Sequence, residues 1–381
     1  MHLDRPIRIL ATAALTAGVA AGAAGAFAAT TASASPDPGH AVFLETDQVS
    51  GNQILSYDRS TDGSVSYAGT FATGGDGATA AGATADPLAS QGGLALVDGG
   101  RDLVAVNAGS DTISVFSVRG SWLELTQTIA SGGEFPVSVT SSGSTVAVLN
   151  SGGTGSVAEF HVFGDRLFPI PGEVRSLGLA NTDPPNFLHG AGQVGFTPDG
   201  AHLVVTTKAS SSAYEVFTVG PFGTLSAAPV VTTSATPVPF AFSFDTQGRL
   251  VGAEAATSTV STYDVDPNGS LTLVGSVADG AAALCWITGV DGTFYGSNAG
   301  SATVSSFSVD GAGSPSLVQA TAAATHPGTT DSAASPDGRF LYVESGGSGA
   351  FDAFAIGAHG SLTPVETVWN IPVASEGIAV S

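Results

Sequence analysis

The chain has 381 residues and a formal net charge of −22, because 32 acidic residues stand against only ten Lys and Arg. A surface this acidic repels nucleic acids and anionic lipids, so neither class is expected as a partner. The single cysteine, Cys285, excludes an internal disulfide bond, and its apolar neighbours predict a buried, inert thiol rather than a nucleophile.

The N-terminal residues have the pattern of a secretory signal peptide. Arg5 and Arg8 form a basic start, residues 9–29 are apolar and rich in Ala and Gly, and Ala32-Ser33-Ala34 is a small-residue cleavage motif. A membrane anchor is the alternative, since the apolar run is about long enough to span a bilayer. The cleavage motif and the low Leu and Ile content favour a signal peptide over residues 1–34. This predicts a secreted, extracellular protein with no membrane partner after cleavage.

One structural unit is repeated along the rest of the chain. Residues 103–118 read LVAVNAGSDTISVFSV and residues 294–309 read FYGSNAGSATVSSFSV, in each case an apolar strand, a tight turn and an alternating strand. The start of this unit recurs at seven positions, which are Val42, Leu103, Val146, Leu203, Leu250, Phe294 and Phe340. Their spacings of 61, 43, 57, 47, 44 and 46 residues are typical of propeller blades, which contain roughly 40–50 residues each.

The order of elements within a unit predicts an all-β fold. A polar hairpin and a further strand follow the first two strands, and a Pro-containing segment then leads to an apolar strand that ends in a turn such as Pro198-Asp199-Gly200. Four strands in each of seven units predict a seven-bladed β-propeller, formed as a single domain by residues 35–381. Residues 377–381 match an inner strand with no strand after it. We therefore expect them to complete the first blade, whose edge would otherwise stay unpaired.

Two long connections are inserted between blades. They comprise residues 73–90 and about residues 173–191, and each connects an outer strand to the next inner strand. Because strand direction alternates within a blade, these connections lie on the same face as the turn of the repeated unit. A flexible surface loop is the structural interpretation, but long loops in compact domains often carry function.

A ring of polar residues is predicted on that face. The residue four positions after each unit start is polar in all seven units, namely Thr46, Asn107, Asn150, Thr207, Glu254, Asn298 and Glu344. Short side chains there can simply cap the turn by local hydrogen bonds. A carboxylate at the end of a buried strand is costly without a partner, so Glu254 and Glu344 are candidates for a ligand role. In the functional interpretation, Glu254 is catalytic and the other six residues bind the ligand.

The sequence contains no P-loop, nucleophile elbow or Cys/His cluster, so neither a metal nor a cofactor is predicted. His189 and His326 lie in connections on the insertion face, but their spacing is not that of a metal site. Residues 264–269 resemble the start of an EF-hand loop. Position twelve of such a loop would be Gly275, however, so a hairpin turn is predicted.

These units resemble the seven-bladed lactonase-like propellers, a family that includes bacterial propeller-type phosphogluconolactonases and fungal carboxymuconate cyclases. The resemblance rests on the VNAGSDTISVFSV type of strand pair, the F-T-P-D-G and S-P-D-G turns, and D-x-x-G-S-L hairpins such as residues 266–271. It covers essentially all of residues 35–381 and implies a lactonase-type activity. Of the family's proposed active-site positions, only the glutamate of N-E-x-x-x-x-V is retained, as Glu254. Gly192 stands in place of a histidine, residues 207–212 in place of D-L-G-x-D-R/K, and residues 239–241 in place of P-R-H.

Two functions from different classes follow. The first is a secreted lactonase-like hydrolase that cleaves a lactone or a related small cyclic ester, with Glu254 and His189 as catalytic residues. The second is a non-catalytic binding or scaffold propeller that recognises a sugar, peptide or protein at its polar rim. The expected partner is therefore a small molecule, a carbohydrate or a protein, and the chain is expected to be a monomer.

Overall fold

Seven four-stranded antiparallel sheets form a ring in the computed structural model, which describes residues 36–381. The predicted signal peptide, residues 1–34, lies outside the described residues. In six sheets the hydrogen-bonded order follows the chain from the inner strand at the central channel to the outer strand, and in the first sheet the inner strand is the C-terminal one. The predicted seven-bladed all-β propeller is therefore confirmed.

Strands β1 to β15 belong to blades 1 to 4. These strands are β1 (Pro36–Glu45), β2 (Gln53–Ser60) and β3 (Val65–Ala72) in blade 1; β4 (Leu94–Val97), β5 (Asp102–Asn107), β6 (Thr112–Arg119) and β7 (Trp122–Ala130) in blade 2; β8 (Pro136–Ser142), β9 (Thr145–Asn150), β10 (Ser156–Phe163) and β11 (Arg166–Ser176) in blade 3; and β12 (Val194–Phe196), β13 (His202–Thr206), β14 (Ala213–Thr218) and β15 (Val230–Thr233) in blade 4.

The remaining strands form blades 5 to 7 and close blade 1. They are β16 (Pro239–Phe244), β17 (Leu250–Glu254), β18 (Thr259–Val265) and β19 (Leu271–Ala278) in blade 5; β20 (Leu284–Val290), β21 (Thr293–Asn298), β22 (Thr303–Val309) and β23 (Pro315–Ala324) in blade 6; β24 (Ser332–Ala334), β25 (Phe340–Ser345), β26 (Ala350–Ile356) and β27 (Leu362–Trp369) in blade 7; and β28 (Ile378–Val380) in blade 1. The helical segments of residues 36–381 are short 3-10 turns at Asp98–Gly100, Pro221–Gly223, Gly346–Ser348 and Ala358–Gly360. None of them has the length and hydropathy needed to cross a membrane.

The second strand of each blade carries the apolar core. β5, β9 and β25 are buried at every position, because neighbouring blades cover both faces of the sheet near the channel. Outer strands such as β7 and β23 instead alternate between more and less exposed positions. Continuous apolar runs in the sequence therefore mark second strands, and alternating runs mark outer strands. All seven predicted unit starts lie in second strands.

Pro-Asp-Gly turns connect inner and second strands on the face opposite the insertions. Gly200 (φ 69°) and Gly338 (φ 67°) occupy the left-handed region, which glycine adopts without a steric penalty. In the first of these turns, Asp199 Oδ1 accepts hydrogen bonds from Thr197 Oγ1 at 2.7 Å and from the Ala201 N–H at 3.0 Å. The turn sequence thus supplies both the unusual backbone angle and the side chain that holds it.

The C-terminal strand β28 is the inner strand of blade 1, as predicted. It pairs antiparallel with β1, with Val380 opposite Val42. The N–H of Ser381 donates to Ala41 O at 2.9 Å and extends this pairing. The two ends of the propeller are therefore joined within one sheet.

The two insertions lie between blades on one face, and they contact each other. The second was expected from about residue 173, but β11 continues to Ser176, so its start was wrong by a few residues. The Ala81 N–H donates to Pro185 O at 2.8 Å, and the Phe187 N–H donates to Ala81 O at 3.1 Å. The insertions are therefore a single connected structure above the channel.

Candidate active site

The short side chains of the predicted polar ring are buried and serve the blades. Asn107 Nδ2 donates to Ser114 Oγ at 2.9 Å, and Asn298 Nδ2 makes the equivalent bond to Ser305 Oγ at 2.9 Å. The other three make similar hydrogen bonds. Thr207 Oγ1 donates to Ala213 O at 3.0 Å, and Asn150 Nδ2 donates to Ser131 O at 3.4 Å. Thr46 Oγ1 accepts a bond from the Gln53 N–H at 3.1 Å. These contacts match the capping interpretation. The ligand-binding role assigned to these residues stays a prediction.

Glu254 is completely buried and fully engaged with donors inside blade 5. Its carboxylate accepts hydrogen bonds from Tyr263 OH at 2.6 Å, Thr236 Oγ1 at 2.6 Å, Ser261 Oγ at 2.8 Å and the Thr236 N–H at 2.9 Å. These bonds hold the carboxylate of Glu254 in one orientation, and both of its oxygen atoms are already bonded to structural partners. Its place in the structure is therefore that of a link between strands.

The two candidate histidines lie apart from Glu254. His189 is exposed in the second insertion, where its carbonyl accepts a bond from Ser210 Oγ at 2.6 Å. No hydrogen bond joins His189 to Glu254 in the described chain. His326 Nδ1 lies 3.1 Å from Asp352 Oδ2, and its ring packs on Trp369 at 4.4 Å. The predicted catalytic pair is thus not brought together, and its role in catalysis stays a prediction.

The central channel is crossed by the end of the first insertion together with the two residues that follow it. Residues 89–92, here called the cross-channel segment, bond to inner strands on several sides of the ring. Gln91 Nε2 donates to Ile287 O at 3.1 Å, and Gln91 Oε1 accepts from the Ile287 N–H at 2.9 Å, in blade 6. The Val139 N–H of blade 3 donates to Gly92 O at 2.8 Å, and the Gln91 N–H donates to Gly192 O next to blade 4 at 3.0 Å. The channel is therefore closed from within.

The cross-channel segment separates two pockets. The pocket on the insertion face, here called the mouth pocket, has a volume of about 530 Å³, and its main side chains are Asp86, Phe187, Phe240, Cys285 and Trp286. The pocket on the opposite face has a volume of about 450 Å³ and is lined by the inner strands. Both volumes are in the range of small-molecule sites.

Asp86 supplies the carboxyl group of the mouth pocket. Its Oδ1 accepts a hydrogen bond from the Ala89 N–H at 2.6 Å, and its Oδ2 accepts one from the Ser90 N–H at 3.0 Å. Burial raises the pKa of Asp86 to about 7, although these bonds and the charge of Lys208 favour the ionised form. A carboxyl group with a pKa near neutrality is suited to act as a general base.

Lys208, the only lysine of the sequence, lies buried beside Asp86. Its Nζ donates to Ala89 O at 2.5 Å and lies 5.3 Å from the centre of the Phe240 ring. Burial lowers the pKa of Lys208 to about 8, and the negative charge of Asp86 opposes that shift. Asp86 and Lys208 therefore form an interacting pair of opposite charge next to the pocket.

Further buried carboxyl groups surround this pair. Together with Asp86 they form the carboxyl cluster, whose other members are Glu45, Asp47, Asp331, Glu344 and Glu376. Burial is the largest cause that raises the pKa of each of these five, and repulsion between the carboxyl groups adds to it. Neither carboxyl oxygen of Glu376 has a hydrogen-bond partner among the described residues. Within the described range, no three Asp, Glu, His or Cys side chains are arranged to hold a metal ion.

Cys285 lies on the inner strand β20 in the wall of the mouth pocket, where the residue is less buried than the sequence predicted. The apolar wall still affects its chemistry. Burial, with a contribution from Asp86, raises the pKa of Cys285 to about 12. The reactive thiolate is therefore scarce at neutral pH.

We expect native Cys285 to react with iodoacetamide at pH 7.5 at least about 100-fold more slowly than a free cysteine, because alkylation requires the thiolate. The measurement is the rate of mass increase of the intact protein. The same protein in denaturant serves as the control and should react at the rate of free cysteine. Equal rates in the native and denatured protein would contradict the inert assignment.

Sequence reasoning missed Asp86 and most of the carboxyl cluster. The members come from four separate parts of the chain, and no spacing rule connects them. One usable signal was present in Lys208, since a lone lysine in an acidic chain requires an acidic neighbour when it is buried. Another was Asp86 itself, which is the second acidic residue of the first insertion.

Part of the sequence matches the model of a family of seven-bladed propellers. Residues 202–368 match the family model of the lactonase with a seven-bladed β-propeller. The resemblance to the lactonase-like propeller family is therefore confirmed. No curated protein matches the chain significantly.

Solved structures with the same fold come from several bacteria. A proposed 6-phosphogluconolactonase from Bacteroides fragilis is 18% identical with a TM-score of 0.68, and the match covers 91% of this chain and 98% of that one. The periplasmic gluconolactonase of Pseudomonas aeruginosa is 19% identical with a TM-score of 0.67, over 90% of this chain and 98% of that one. A protein from Lactobacillus plantarum is 19% identical with a TM-score of 0.69, over 91% and 100%. At these identities the comparisons establish the fold.

Proposed function

We propose that the protein hydrolyses a lactone or a related small cyclic ester in the mouth pocket, with Asp86 as the general base. The observation that carries this proposal is a buried carboxyl group that lines a pocket of small-molecule size and has a pKa of about 7. The family match over residues 202–368 supports the reaction class. Glu254 and His189, by contrast, line neither the mouth pocket nor the pocket on the opposite face.

In the proposed reaction, Asp86 takes a proton from a water molecule whose oxygen attacks the lactone carbonyl. The tetrahedral intermediate then expels the ring oxygen, which receives the proton from Asp86, and a hydroxy acid is released. Lys208 favours the ionised form of Asp86 through its positive charge. The hydrogen bonds from Ala89 and Ser90 hold the carboxylate in place during the proton transfer.

Asp86→Asn is expected to lower kcat/KM for lactone hydrolysis by about 10²–10⁴-fold, because the amide keeps the size of the side chain but cannot accept the proton. The wild-type kcat/KM should rise with pH through about 7, as Asp86 ionises, and this rise should be absent from the variant. Hydrolysis is measured on a panel of lactones by proton release.

Glu254→Gln is the matched control for the competing base. It breaks a saturated hydrogen-bond network in blade 5, so we expect a lower Tm but an unchanged kcat per folded molecule. Loss of activity in Glu254→Gln with full activity in Asp86→Asn would reverse the assignment. Wild-type protein that hydrolyses no lactone would leave the non-catalytic binding propeller as the better description.

We further propose that the protein acts outside the cell as a monomer. The signal-peptide pattern over residues 1–34 and the strongly acidic composition support extracellular action. Recognition of a sugar, peptide or protein at the polar rim is less well supported, because the seven ring residues are buried.

A further inference from the structure

Resting on the proposed function, we infer that the substrate of the mouth pocket is an uncharged, mainly apolar lactone, and that phosphorylated and polyhydroxylated sugar lactones are excluded. This inference is based on the apolar side chains that line the pocket. Three aromatic rings, Phe187, Phe240 and Trp286, face a pocket whose other lining residues are mostly Ala, Gly and Pro. Such a wall stabilises a ligand by burial of apolar surface.

An anionic substrate would lack a counter-charge. Among the described lining residues of the mouth pocket there is no Arg, Lys or His, and the carboxyl group present is that of Asp86. Lys208 lies behind the wall, 1% exposed, and donates to Ala89 O. Phosphate and carboxylate groups are usually bound by Arg or Lys side chains, or by several backbone N–H groups. A phosphorylated lactone would instead meet Asp86, whose ionised form is the proposed base, and be repelled by its negative charge.

A sugar lactone would also find few side chains to which it could hydrogen-bond. The indole N–H of Trp286 is not available, since it donates to Ser90 O at 2.6 Å. The amide of Gln91 is likewise engaged with Ile287 and faces the opposite pocket. Of the described lining side chains, Thr84 and Asp86 are the ones with oxygen atoms. Burying several sugar hydroxyls without partners would be unfavourable, so the pocket selects against them.

The second insertion supplies the residue at the entrance. Phe187 is 39% exposed at the pocket rim, and its backbone is fixed by the bond from its N–H to Ala81 O. Behind it, Phe240 and Trp286 pack edge to face with ring centres 5.1 Å apart. A ligand that enters between them therefore meets aromatic carbon on more than one side. This arrangement makes Phe187 a specificity-determining residue.

The test compares three lactones, namely dihydrocoumarin as the uncharged apolar probe, glucono-δ-lactone, and 6-phosphoglucono-δ-lactone. We expect kcat/KM for dihydrocoumarin to exceed that for glucono-δ-lactone by about 10–100-fold, with no detectable turnover of the phosphorylated lactone. Phe187→Ala should reduce kcat/KM for dihydrocoumarin about tenfold, mainly through KM, and should reduce kcat/KM for glucono-δ-lactone by a smaller factor, so that the preference for dihydrocoumarin falls. Phe163→Ala is the matched control, because Phe163 ends β10 in blade 3, is 80% exposed and does not line the mouth pocket.

A binding measurement tests the substrate class independently of the proposed hydrolysis. Titration calorimetry of Asp86→Asn with dihydrocoumarin, which the variant should hydrolyse slowly, reports the pocket chemistry without catalysis. Binding of dihydrocoumarin in the absence of any wild-type hydrolysis would support the pocket chemistry and overturn the hydrolase. Preferential turnover of the phosphorylated or the sugar lactone would support the hydrolase and overturn the substrate class. If dihydrocoumarin neither binds nor is hydrolysed, the inference is also overturned.

Discussion

A chain that ends at residue 376 is expected to lose roughly 10 °C or more in Tm, or to fail to fold, because the first blade then lacks its inner strand. Ile378 and Val380 are 4% and 8% exposed, and burying side chains of this size contributes roughly 1.5–3 kcal/mol each. The truncation also removes the bonds between β28 and β1 and leaves β1 as an unpaired edge. A loss of this size is a large part of the net stability of a typical domain, about 5–15 kcal/mol. Thermal unfolding followed by circular dichroism measures it.

The structure offers a rescue variant as the control. Because β28 runs antiparallel to β1 and Ser381 lies opposite Ala41, residues 377–381 can be fused directly ahead of Ala41 through a two-residue Asn-Gly turn. The fused chain restores the same sheet with a different connection and should recover most of the lost Tm. A truncated chain with the parental Tm, or a fused chain no more stable than the truncated one, would refute the assignment of β28.

The second large effect is a fall in stability with rising pH. In the unfolded chain the members of the carboxyl cluster ionise near pH 4. In the folded protein burial raises their pKa values, to about 7 for Asp86 and Asp331. Between these limits the folded state binds more protons than the unfolded state, so the free energy of unfolding decreases as the pH rises. The stabilising contribution is complete below about pH 4 and is lost as the pH passes through about 7 and above.

We therefore expect Tm to fall by roughly 5–10 °C between pH 5 and pH 8, as followed by scanning calorimetry. Glu376→Gln imitates the neutral form of a carboxyl group that has no hydrogen-bond partner, so it should raise Tm at pH 8 and leave it nearly unchanged at pH 5. Glu124→Gln is a control on the exposed surface, where Glu124 contacts Arg119 at 3.2 Å, and should change the pH dependence little. A Tm that is constant or rises over this range would argue against a protonated cluster.

The fold was predictable because each blade repeats its own local pattern. Continuous apolar strands such as β5 and alternating strands such as β23 reflect their distances from the channel, and the C-terminal strand was recognisable because it lacks a partner in its own repeat. The second insertion was placed correctly between blades, but its start was not. β11 simply continues as an outer strand until Ser176, and an outer strand that faces solvent can be extended without an apolar signal.

The candidate site was harder to predict because its residues do not share a repeat. The ring residues were predicted because they occupy the same position in every blade. Residues at such a position tend to have a structural role that all blades share, as Asn107 and Asn298 do through their hydrogen bonds to the next strand. Asp86 lies instead in an insertion that occurs once, and its environment depends on Lys208 from blade 4. The raised pKa of Asp86 results from burial beneath the folded insertion, which no local pattern encodes.

The cross-channel segment also has a consequence for how the molecule unfolds. In a repeat architecture whose units contact only their neighbours, units can separate one after another. Here residues 89–92 bond to blade 3 through Val139, to blade 6 through Ile287 and to the start of blade 7 through Asp331. Blades that are not adjacent in the ring are therefore linked directly at its centre. Loss of one blade removes bonds that hold the others, so the ring should melt in a single cooperative transition instead of blade by blade.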